Sequence, residues 1–344
     1  MKISYFGYFT PFGGYGIANL AWVKYLKRLK VDVSVNAKFV PLPGTDEYKV
    51  LTPEERRMFK RPYKKQRIGI IETTPFNFNL LDTDIKIANT MAETDKIGPE
   101  WVLACNLMDQ IIVPNEFYKK VFKQCGVEKP IEVIPHGVNT ELYKFYARPK
   151  REYFTFGSCG YLNNRKGAIE IIRAFASEFD IEEPVKLRLH TTDPDLGWYK
   201  NQTDPRIEIT DELWPFNKLN EFYQSLDCFV FPSRAEGIGY PPREAMATGC
   251  PAILMNYSGL EEIADLGYKL KPDGFERVNP MREQPGRWAT INISELMYWM
   301  RYAYEHKLES YNMGIAASKE ISNRFNWSTC ASKLVNLLTK YDKN

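Results

Sequence analysis

The sequence contains few cysteines and histidines, and this scarcity limits the chemistry available to the protein. Its 344 residues include six cysteines and three histidines. The cysteines stand at least 20 positions apart and form no Cys-x-x-Cys pair. That spacing excludes the usual structural zinc site and the dense disulfide framework of a small secreted domain. The six thiols are therefore interpreted as buried free cysteines in a reducing cytosol.

Long apolar runs and a strong excess of one charge are missing as well. The strand-like run Cys228-Phe-Val-Phe231 falls far short of the ~20 residues that span a bilayer. Strand pattern begins directly at Met1, with no cleavable signal segment before it, so we expect a cytoplasmic protein. A net charge of +3 gives no indication of a nucleic-acid partner. With 44% apolar and 26% charged residues, the composition is that of a folded globular protein.

Apolar residues alternate between period 2 and period 3.6 along most of the chain. This alternation is typical of repeated strand–helix units around a parallel sheet, so the predicted fold class is α/β with two Rossmann-like domains. Residues 143–151 lack periodicity and form the predicted linker. The expected domains are residues 1–145 and 146–322, followed by a closing helix over 323–344. Open parallel sheets bind ligands at the carboxyl ends of their strands, so we expect the site in a cleft between the domains.

The most informative segment runs from Phe231 to Pro251 and reads FPSRAEGIGYPPREAMATGCP. A predicted strand leads into a glycine-bearing loop, and two prolines then begin a helix. Gly237 and Gly239 leave backbone N–H groups open to an anion at the helix N-terminus. Glu236 stands at the loop entrance, and Glu244 is expected in the first helical turn. Taken singly, each glutamate is better explained without a role in binding, Glu236 as a solvated loop acid and Glu244 as an acid that complements the helix dipole.

Four further segments carry recognisable motifs. They are the glycine loop Gly13-Gly-Tyr-Gly16, the stretch Ala92–Trp101, the strand and turn Val133-Ile-Pro-His-Gly-Val-Asn139, and Gly157-Ser-Cys-Gly-Tyr-Leu-Asn-Asn-Arg-Lys-Gly167. The glycine loop fails as a dinucleotide fingerprint, because Asn19 stands where Gly or Ala is required. Phe325-Asn-Trp327 precedes the last predicted helix. His136 is interpreted as a structural turn residue.

Together with Glu-x7-Glu and the Ala-Met-Ala-x-Gly-x-Pro tail, these motifs resemble retaining glycosyltransferases of family 4 (glycosyl transferases group 1). The resemblance covers most of the chain and implies a GT-B fold with an acceptor-side first domain and a nucleotide-sugar second domain. It implies that the closing helix returns to the first domain. It also implies catalytic roles for Glu236, Lys166 and Glu93. The implied donor-binding residues are Gly13, Gly14, Gly16, Ser158, Arg165, Lys166, Ile209, Thr210, Gly237, Ile238, Gly239 and Glu244.

The sequence departs from the family pattern at two places. Tyr161 replaces the usual arginine of the donor domain, and Arg165 is equally explained as its substitute or as a solvated cation. Many relatives carry a histidine in the loop near Glu93, and this chain has none there. Glu93 and Asp95 are the acids expected on that side, with a plain surface loop as the alternative.

A metal-dependent transfer is the weaker alternative for the same chemistry. Asp82-Thr-Asp84 and Asp193-Pro-Asp195 both spell the Asp-x-Asp pattern that holds Mg²⁺ or Mn²⁺ on a diphosphate in another glycosyltransferase fold. Three-residue patterns arise often by chance, and neither follows a convincing strand. We therefore expect no metal and no cofactor.

Residues 56–67 form a basic run with seven cations in twelve positions, after a helix start at Thr52-Pro-Glu-Glu55. A solvated face is the simpler interpretation. The alternative is contact with an anionic membrane surface, helped by Phe59 and Tyr63, or with an acidic acceptor.

The sequence thus predicts a metal-independent, retaining hexosyltransferase-type enzyme. It would move a sugar from a nucleoside diphosphate sugar to a glycan, lipid or protein-linked acceptor. A nucleotide-sugar epimerase and a non-catalytic nucleotide-sugar-binding homologue remain as alternatives.

Overall fold

A computed structural model describes residues 1–11, 13–38, 40–191, 203–278 and 285–342. The chain forms two compact units. Unit 1 consists of Met1–Gly137, Met281–Pro285 and Phe325–Asn344, and unit 2 of Val138–Pro280 and Gly286–Arg324. The sequence-based boundaries at 145/146 and 322/323 stay predictions.

Unit 1 is built on a six-stranded parallel sheet with the strand order β2-β1-β3-β4-β5-β6. Ile3 pairs with Val33 on one side and with Ile68 on the other, which fixes the register of the central strands. Every residue of β3 is buried, as expected for a parallel strand covered on both faces. The strands are β1 (Lys2–Tyr8), β2 (Asp32–Lys38), β3 (Ile68–Glu72), β4 (Ile85–Asn89), β5 (Gln110–Val113) and β6 (Ile131–Val133).

Several helices of unit 1 begin at a residue whose side chain caps them, although the first helix begins after Gly13 without a side-chain cap. Asn115 accepts a hydrogen bond from the Tyr118 N–H at the start of α5, at 3.0 Å. Thr52 and Glu55 form a capping box at the start of α3, where the sequence predicts a helix start. The helices are α1 (Gly14–Arg28), α2 (Asp46–Val50), α3 (Pro53–Met58), α4 (Pro99–Asn106) and α5 (Glu116–Gln124).

Unit 2 repeats the same plan with a second six-stranded parallel sheet, in the order β12-β11-β10-β7-β8-β9. A separate antiparallel hairpin, β13–β14, follows it. The central strand β10 is buried throughout. The strands are β7 (Phe154–Gly160), β8 (Val185–Thr191), β9 (Ile207–Thr210), β10 (Cys228–Phe231), β11 (Ala252–Met255), β12 (Tyr268–Leu270), β13 (Pro272–Arg277) and β14 (Arg287–Ile291).

The helices of unit 2 lie between these strands and continue after the hairpin. The amphipathic helix α6 begins at Ala168, and its apolar positions Ile171 and Phe175 are buried. The helices are α6 (Ala168–Glu178), α7 (Phe216–Ser225), α8 (Tyr240–Ala247), α9 (Glu261–Ala264), α10 (Ile293–Glu305) and α11 (Lys307–Arg324).

The last helix, α12 (Trp327–Asp342), packs in unit 1 against α1. The Trp327 ring lies edge-on to Trp22, with ring centroids 4.9 Å apart. A side chain at Gly137 would meet the Trp327 backbone nitrogen at 2.6 Å, so only glycine permits this approach. The predicted closing helix therefore belongs to the same unit as the first strand.

The two parallel sheets with their helices confirm the predicted pair of Rossmann-like α/β units. The sequence missed α11, whose buried positions include the small residues Gly314, Ala317 and Ser318. Small residues carry little hydrophobic signal, although they allow close packing. All six cysteines are free and five are buried, as expected. No helix of the described residues has the length and apolar character needed to cross a membrane.

Candidate functional site

The loop between β10 and α8 places Glu236 in a buried cluster with two cations. Arg165 Nη1 lies 2.9 Å from Glu236 Oε1, and the Lys166 ammonium donates to the same oxygen. Ser233 donates a third hydrogen bond to that oxygen. All four side chains are buried in unit 2. The suggestion that Glu236 is a solvated loop acid is therefore wrong.

The charges of this cluster compensate one another. Burial alone would raise the pKa of Glu236. The nearby Lys166 and Arg165 cations, and the hydrogen bonds from Lys166 and Ser233, outweigh burial and hold that pKa below its usual range. Glu236 is thus a carboxylate, and the explanation of Arg165 as a solvated cation is wrong because its side chain is only 10% exposed.

Local backbone geometry brings the two cations to Glu236. After β7, the Asn163 side chain accepts a hydrogen bond from the Arg165 N–H and caps a short 3₁₀ turn, Asn164–Lys166. Gly167 then takes a left-handed conformation, with φ of 72°, at the start of α6. A side chain there would also meet Ile291 Cδ1 at 2.6 Å, so the turn requires glycine. Tyr161, which replaces the family arginine, is 51% exposed.

Glu244 lies in a different, uncharged environment on α8. It is the fifth residue of the helix, so its placement in the first turn was wrong; the helix begins at Tyr240. Its carboxyl group accepts a hydrogen bond from the Tyr223 hydroxyl at 2.8 Å. Burial raises the pKa of Glu244 to about 7, although the Tyr223 hydrogen bond lowers it. Glu244 therefore changes charge near neutral pH.

Tyr223 is a residue that the sequence analysis missed. Its hydroxyl receives a hydrogen bond from the Cys159 thiol, at 3.3 Å, and donates to Glu244. Tyr143 packs edge-on against its ring, with centroids 5.7 Å apart. Tyr223 lies on the buried face of α7, where an aromatic residue is indistinguishable by sequence from an ordinary core residue.

The other predicted donor residues of unit 2 lie on strands and loops of the same sheet. Ser158 Oγ on β7 is buried and has no hydrogen-bond partner among the described residues. Gly237, Ile238 and Gly239 lead into α8. Ile209 and Thr210 end β9 and are half-buried.

Beside Thr210 lies an aromatic pair that the sequence analysis missed. His190 Nδ1 is 3.0 Å from Thr210 Oγ1, and the His190 ring stacks on Trp214 with centroids 3.5 Å apart. Burial, followed by the Lys218 charge, lowers the pKa of His190 to about 4. The imidazole is therefore neutral at physiological pH.

In unit 1, the predicted glycine loop leads into α1. Gly13 precedes the helix with φ of 113°, and Gly14 and Gly16 lie in its first turn. Glu93 and Asp95 lie half-buried in the segment between β4 and α4. The roles predicted for Glu93 and the three glycines stay predictions.

Unit 1 also buries a glutamate that the sequence analysis did not single out. Glu72 ends β3 and accepts hydrogen bonds from the Tyr5 hydroxyl, at 2.8 Å, and from Asn89, at 3.3 Å. His136 Nε2 lies 3.5 Å from its other oxygen. Burial raises the pKa of Glu72 to about 8, against the effect of these hydrogen bonds. His136 itself is packed between Trp22 and Trp327, consistent with a structural role.

The Asp-x-Asp patterns have different surroundings. Asp82 is exposed and pairs with Lys65 at 2.9 Å. Asp193 and Asp195 lie outside the described residues. In the described part of the chain, no group of three or more His, Cys, Asp or Glu residues could hold a metal ion.

The aromatic residues of the basic run contact unit 1 itself. Phe59 packs edge-on against Phe9, with centroids 5.3 Å apart. The Tyr63 hydroxyl donates to Ser4 Oγ at 3.2 Å. Any membrane contact by residues 56–67 would thus rest mainly on charge.

Residues 153–276 match the family model of glycosyl transferases group 1. A segment of 112 residues is 30% identical to the O-antigen chain mannosyltransferase RfbU of Salmonella typhimurium and covers 30% of each chain. The matched segments span between 14% and 30% of the curated relatives' length.

Solved structures match along the whole chain. A sucrose-phosphate synthase from Thermosynechococcus elongatus superposes with a TM-score of 0.75 at 13% identity, covering 100% of this chain and 99% of the other. Anabaena HepE in complex with UDP-glucose superposes with a TM-score of 0.68 at 17% identity, covering 99% and 100%. The chain therefore has the GT-B fold, and its second unit carries a domain of the glycosyl transferases group 1 family.

Proposed function

We propose that the protein is a retaining glycosyltransferase that moves a hexose from a nucleoside diphosphate sugar to an acceptor without a metal ion. The observation that carries the proposal is the buried cluster of Lys166, Arg165 and Glu236. Transfer leaves a diphosphate, whose developing negative charge must be stabilised. Two buried cations and the backbone N–H groups before α8 supply that stabilisation from the protein itself.

In the absence of donor, Glu236 neutralises these cations. A diphosphate placed on Lys166 and Arg165 would replace the Glu236 carboxylate as their counter-charge. Glu236 would then be released to accept hydrogen bonds from hydroxyl groups of the donor sugar. This exchange couples donor binding to the positioning of the sugar, because the same carboxylate takes part in both.

Glu244 is proposed to hold the ribose of the donor. An ionised carboxylate accepts two hydrogen bonds from a vicinal diol, and Tyr223 keeps the Glu244 side chain oriented for this role. Ile209 and Thr210 are proposed to contact the base through their backbone groups. Gly13, Gly14 and Gly16 are proposed to approach the phosphates, and Glu93 the sugar.

The relatives indicate the class of donor. RfbU is named a mannosyltransferase, and the HepE complex contains UDP-glucose. We therefore infer a hexose donor, with a glycan, lipid or protein-linked acceptor. The basic run 56–67 is proposed to make peripheral, charge-driven contact with the inner face of a membrane.

The test is calorimetric titration of Glu236→Ala and Glu244→Ala with UDP and GDP at pH 8, beside transfer rates from their hexose conjugates. Losing a single hydrogen bond to the ribose, worth about 1.5–3 kcal/mol, would weaken nucleotide binding about ten- to a hundredfold, so Glu244→Ala should weaken it by at least that factor. Glu236→Ala should retain nucleotide affinity, because it frees both cations, but should lose most of its turnover.

The control is Glu320→Ala, which removes an exposed carboxylate on α11. Equal weakening of nucleotide binding by both site variants would contradict the proposed division of roles. Isomerisation of the donor sugar in the absence of acceptor would favour a nucleotide-sugar epimerase. Donor binding with no turnover in any acceptor mixture would favour a non-catalytic homologue.

A further inference from the structure

A pocket of about 630 Å³ lies on unit 1, and none of the residues proposed to bind the donor lines it. Four cations line it, and they come from three separate parts of the chain: the end of α1, the turn after it, and the basic run. They are Lys27, Lys30, Arg57 and Arg61. We call this the basic pocket.

The basic pocket lies at the amino ends of the strands of the unit 1 sheet, whereas the glycine loop lies at their carboxyl ends. Asp32, which lines it, is the first residue of β2, and Lys27 lies in the last turn of α1. Gly13 lies beyond the carboxyl end of the parallel neighbour β1. Because ligands of open parallel sheets bind at the carboxyl ends of the strands, the basic pocket is a second site and not part of the donor site.

The positive charge of the basic pocket is only partly compensated. Asp32 and Glu54 are its two acids, against four cations. Glu54 also lies 3.8 Å from Arg28, a fifth cation nearby. Burial, followed by the charge of Arg61, lowers the pKa of Lys27. Lys27 is half-buried, whereas Lys30, Arg57 and Arg61 are exposed around it. These like charges repel one another, and an anion bound among them would relieve that repulsion.

The walls suit an anionic group of modest size. Met58 and Val33 are buried and give the pocket an apolar floor. The Arg57 Nε–H donates to the Pro53 carbonyl at 3.1 Å, which holds the Arg57 guanidinium against the first turn of α3. Guanidinium groups bind phosphate oxygens in pairs, and ammonium groups add point charges.

We propose that the basic pocket binds a phosphate group, distinct from the donor diphosphate. Arg57 and Arg61 contact its oxygens, and Lys27 supplies charge from the floor. The inference holds whether or not the protein transfers sugar. The phosphate belongs either to a soluble phosphate ester or to an anionic lipid head group, and the experiment separates these sources.

The test compares two double variants of the same basic run. Arg57→Gln/Arg61→Gln removes two cations that line the basic pocket. Lys60→Gln/Lys64→Gln removes two that do not line it, so the loss of charge is the same. Binding is measured by calorimetry with glycerol 3-phosphate, and by co-sedimentation with phosphatidylglycerol or phosphatidylcholine vesicles.

We expect the pocket variant to bind about tenfold or more weakly, since charge-assisted hydrogen bonds to phosphate are lost. The affinity of the control variant should fall by less than about twofold. Binding to soluble phosphates identifies a small ester, and binding to phosphatidylglycerol vesicles alone identifies a head group.

Equal losses of affinity in both double variants would contradict a phosphate site in the basic pocket and would leave only diffuse, charge-driven membrane contact. If the original protein binds none of the probes, the proposal is wrong. If the pocket variant does not fold, as judged by its thermal melt, Lys27→Gln replaces it in every arm. Donor titration of each variant is the internal check, and it should be unchanged.

Discussion

Glu236 in unit 2 and Glu72 in unit 1 are both buried among hydrogen-bond donors, yet their carboxyl groups are held in opposite ways. Glu236 in unit 2 faces Lys166, Arg165 and Ser233. Glu72 in unit 1 faces the neutral donors of Tyr5 and Asn89, with the His136 ring beside them. The pKa of Glu236 is therefore lowered and that of Glu72 is raised to about 8.

The comparison shows that burial alone does not give a glutamate its chemistry. A carboxyl group held by neutral donors keeps its proton at neutral pH and serves as a structural hydrogen-bonding group. A carboxylate held by two cations is part of an ion cluster, and we propose that the donor diphosphate takes its place. Of these two sites the Glu236 cluster is the charged one, which is why we propose that the diphosphate binds in unit 2.

The largest expected effect comes from removing the charge of Glu236. In Glu236→Gln, Lys166 and Arg165 remain buried without a counter-charge, so the free energy of unfolding at pH 6 should fall by about 3–5 kcal/mol. Pyrophosphate should restore much of the loss by supplying the missing charge. Chemical denaturation with and without pyrophosphate measures both effects.

The matched control for this prediction is Glu72→Gln at the same pH. Gln can still accept the hydrogen bond of Tyr5, and the native carboxyl group is largely protonated there, so the loss should be below about 1.5 kcal/mol. Similar losses in the two variants would mean that the two environments do not differ as described.

A smaller effect is expected in the pH dependence of stability. The folded protein keeps the proton of Glu72 up to about pH 8, whereas an unfolded chain releases it near 4.5. Stability should therefore fall as pH rises through this window, by about 1 kcal/mol between pH 7 and pH 8 from Glu72 alone. Glu244, whose pKa is about 7, contributes in the same direction mainly below pH 7.

Glu72→Gln should flatten the decline between pH 7 and pH 8, and Glu244→Gln should flatten it mainly below pH 7. Thermal unfolding of each variant in steps of half a pH unit checks this. A Glu72→Gln curve parallel to that of the original protein would show that Glu72 ionises normally.

The smallest effect is the one expected from removing metal ions. Because cations of the protein are proposed to stabilise the leaving diphosphate, the transfer rate in excess EDTA should stay within about twofold of the rate without EDTA. The assay follows release of the nucleoside diphosphate from the preferred donor. Loss of activity with EDTA that Mn²⁺ restores would contradict this prediction and would favour a diphosphate held through a metal ion at Asp82 and Asp84.

The sequence predicted most strands and helices because buried parallel strands and amphipathic helices carry strong periodic signals. The motifs also named Lys166 and Glu236 as site residues. They could not predict that these side chains contact each other, since 70 positions separate them and only the fold brings them together. Tyr223 and Glu72 were missed because buried polar residues look like core or strand residues until their partners are known.

The close approach of Gly137 and Trp327 has a consequence for the order of folding. Trp22 and His136 are synthesised early, but the ring that covers them follows only after the whole of unit 2 has left the ribosome. Unit 2 can therefore fold around its own sheet before α12, the last helix of unit 1, has been synthesised. An arrested chain that stops before Phe325 would present an uncovered tryptophan and a buried-acid network open to water, the kind of surface that chaperones bind.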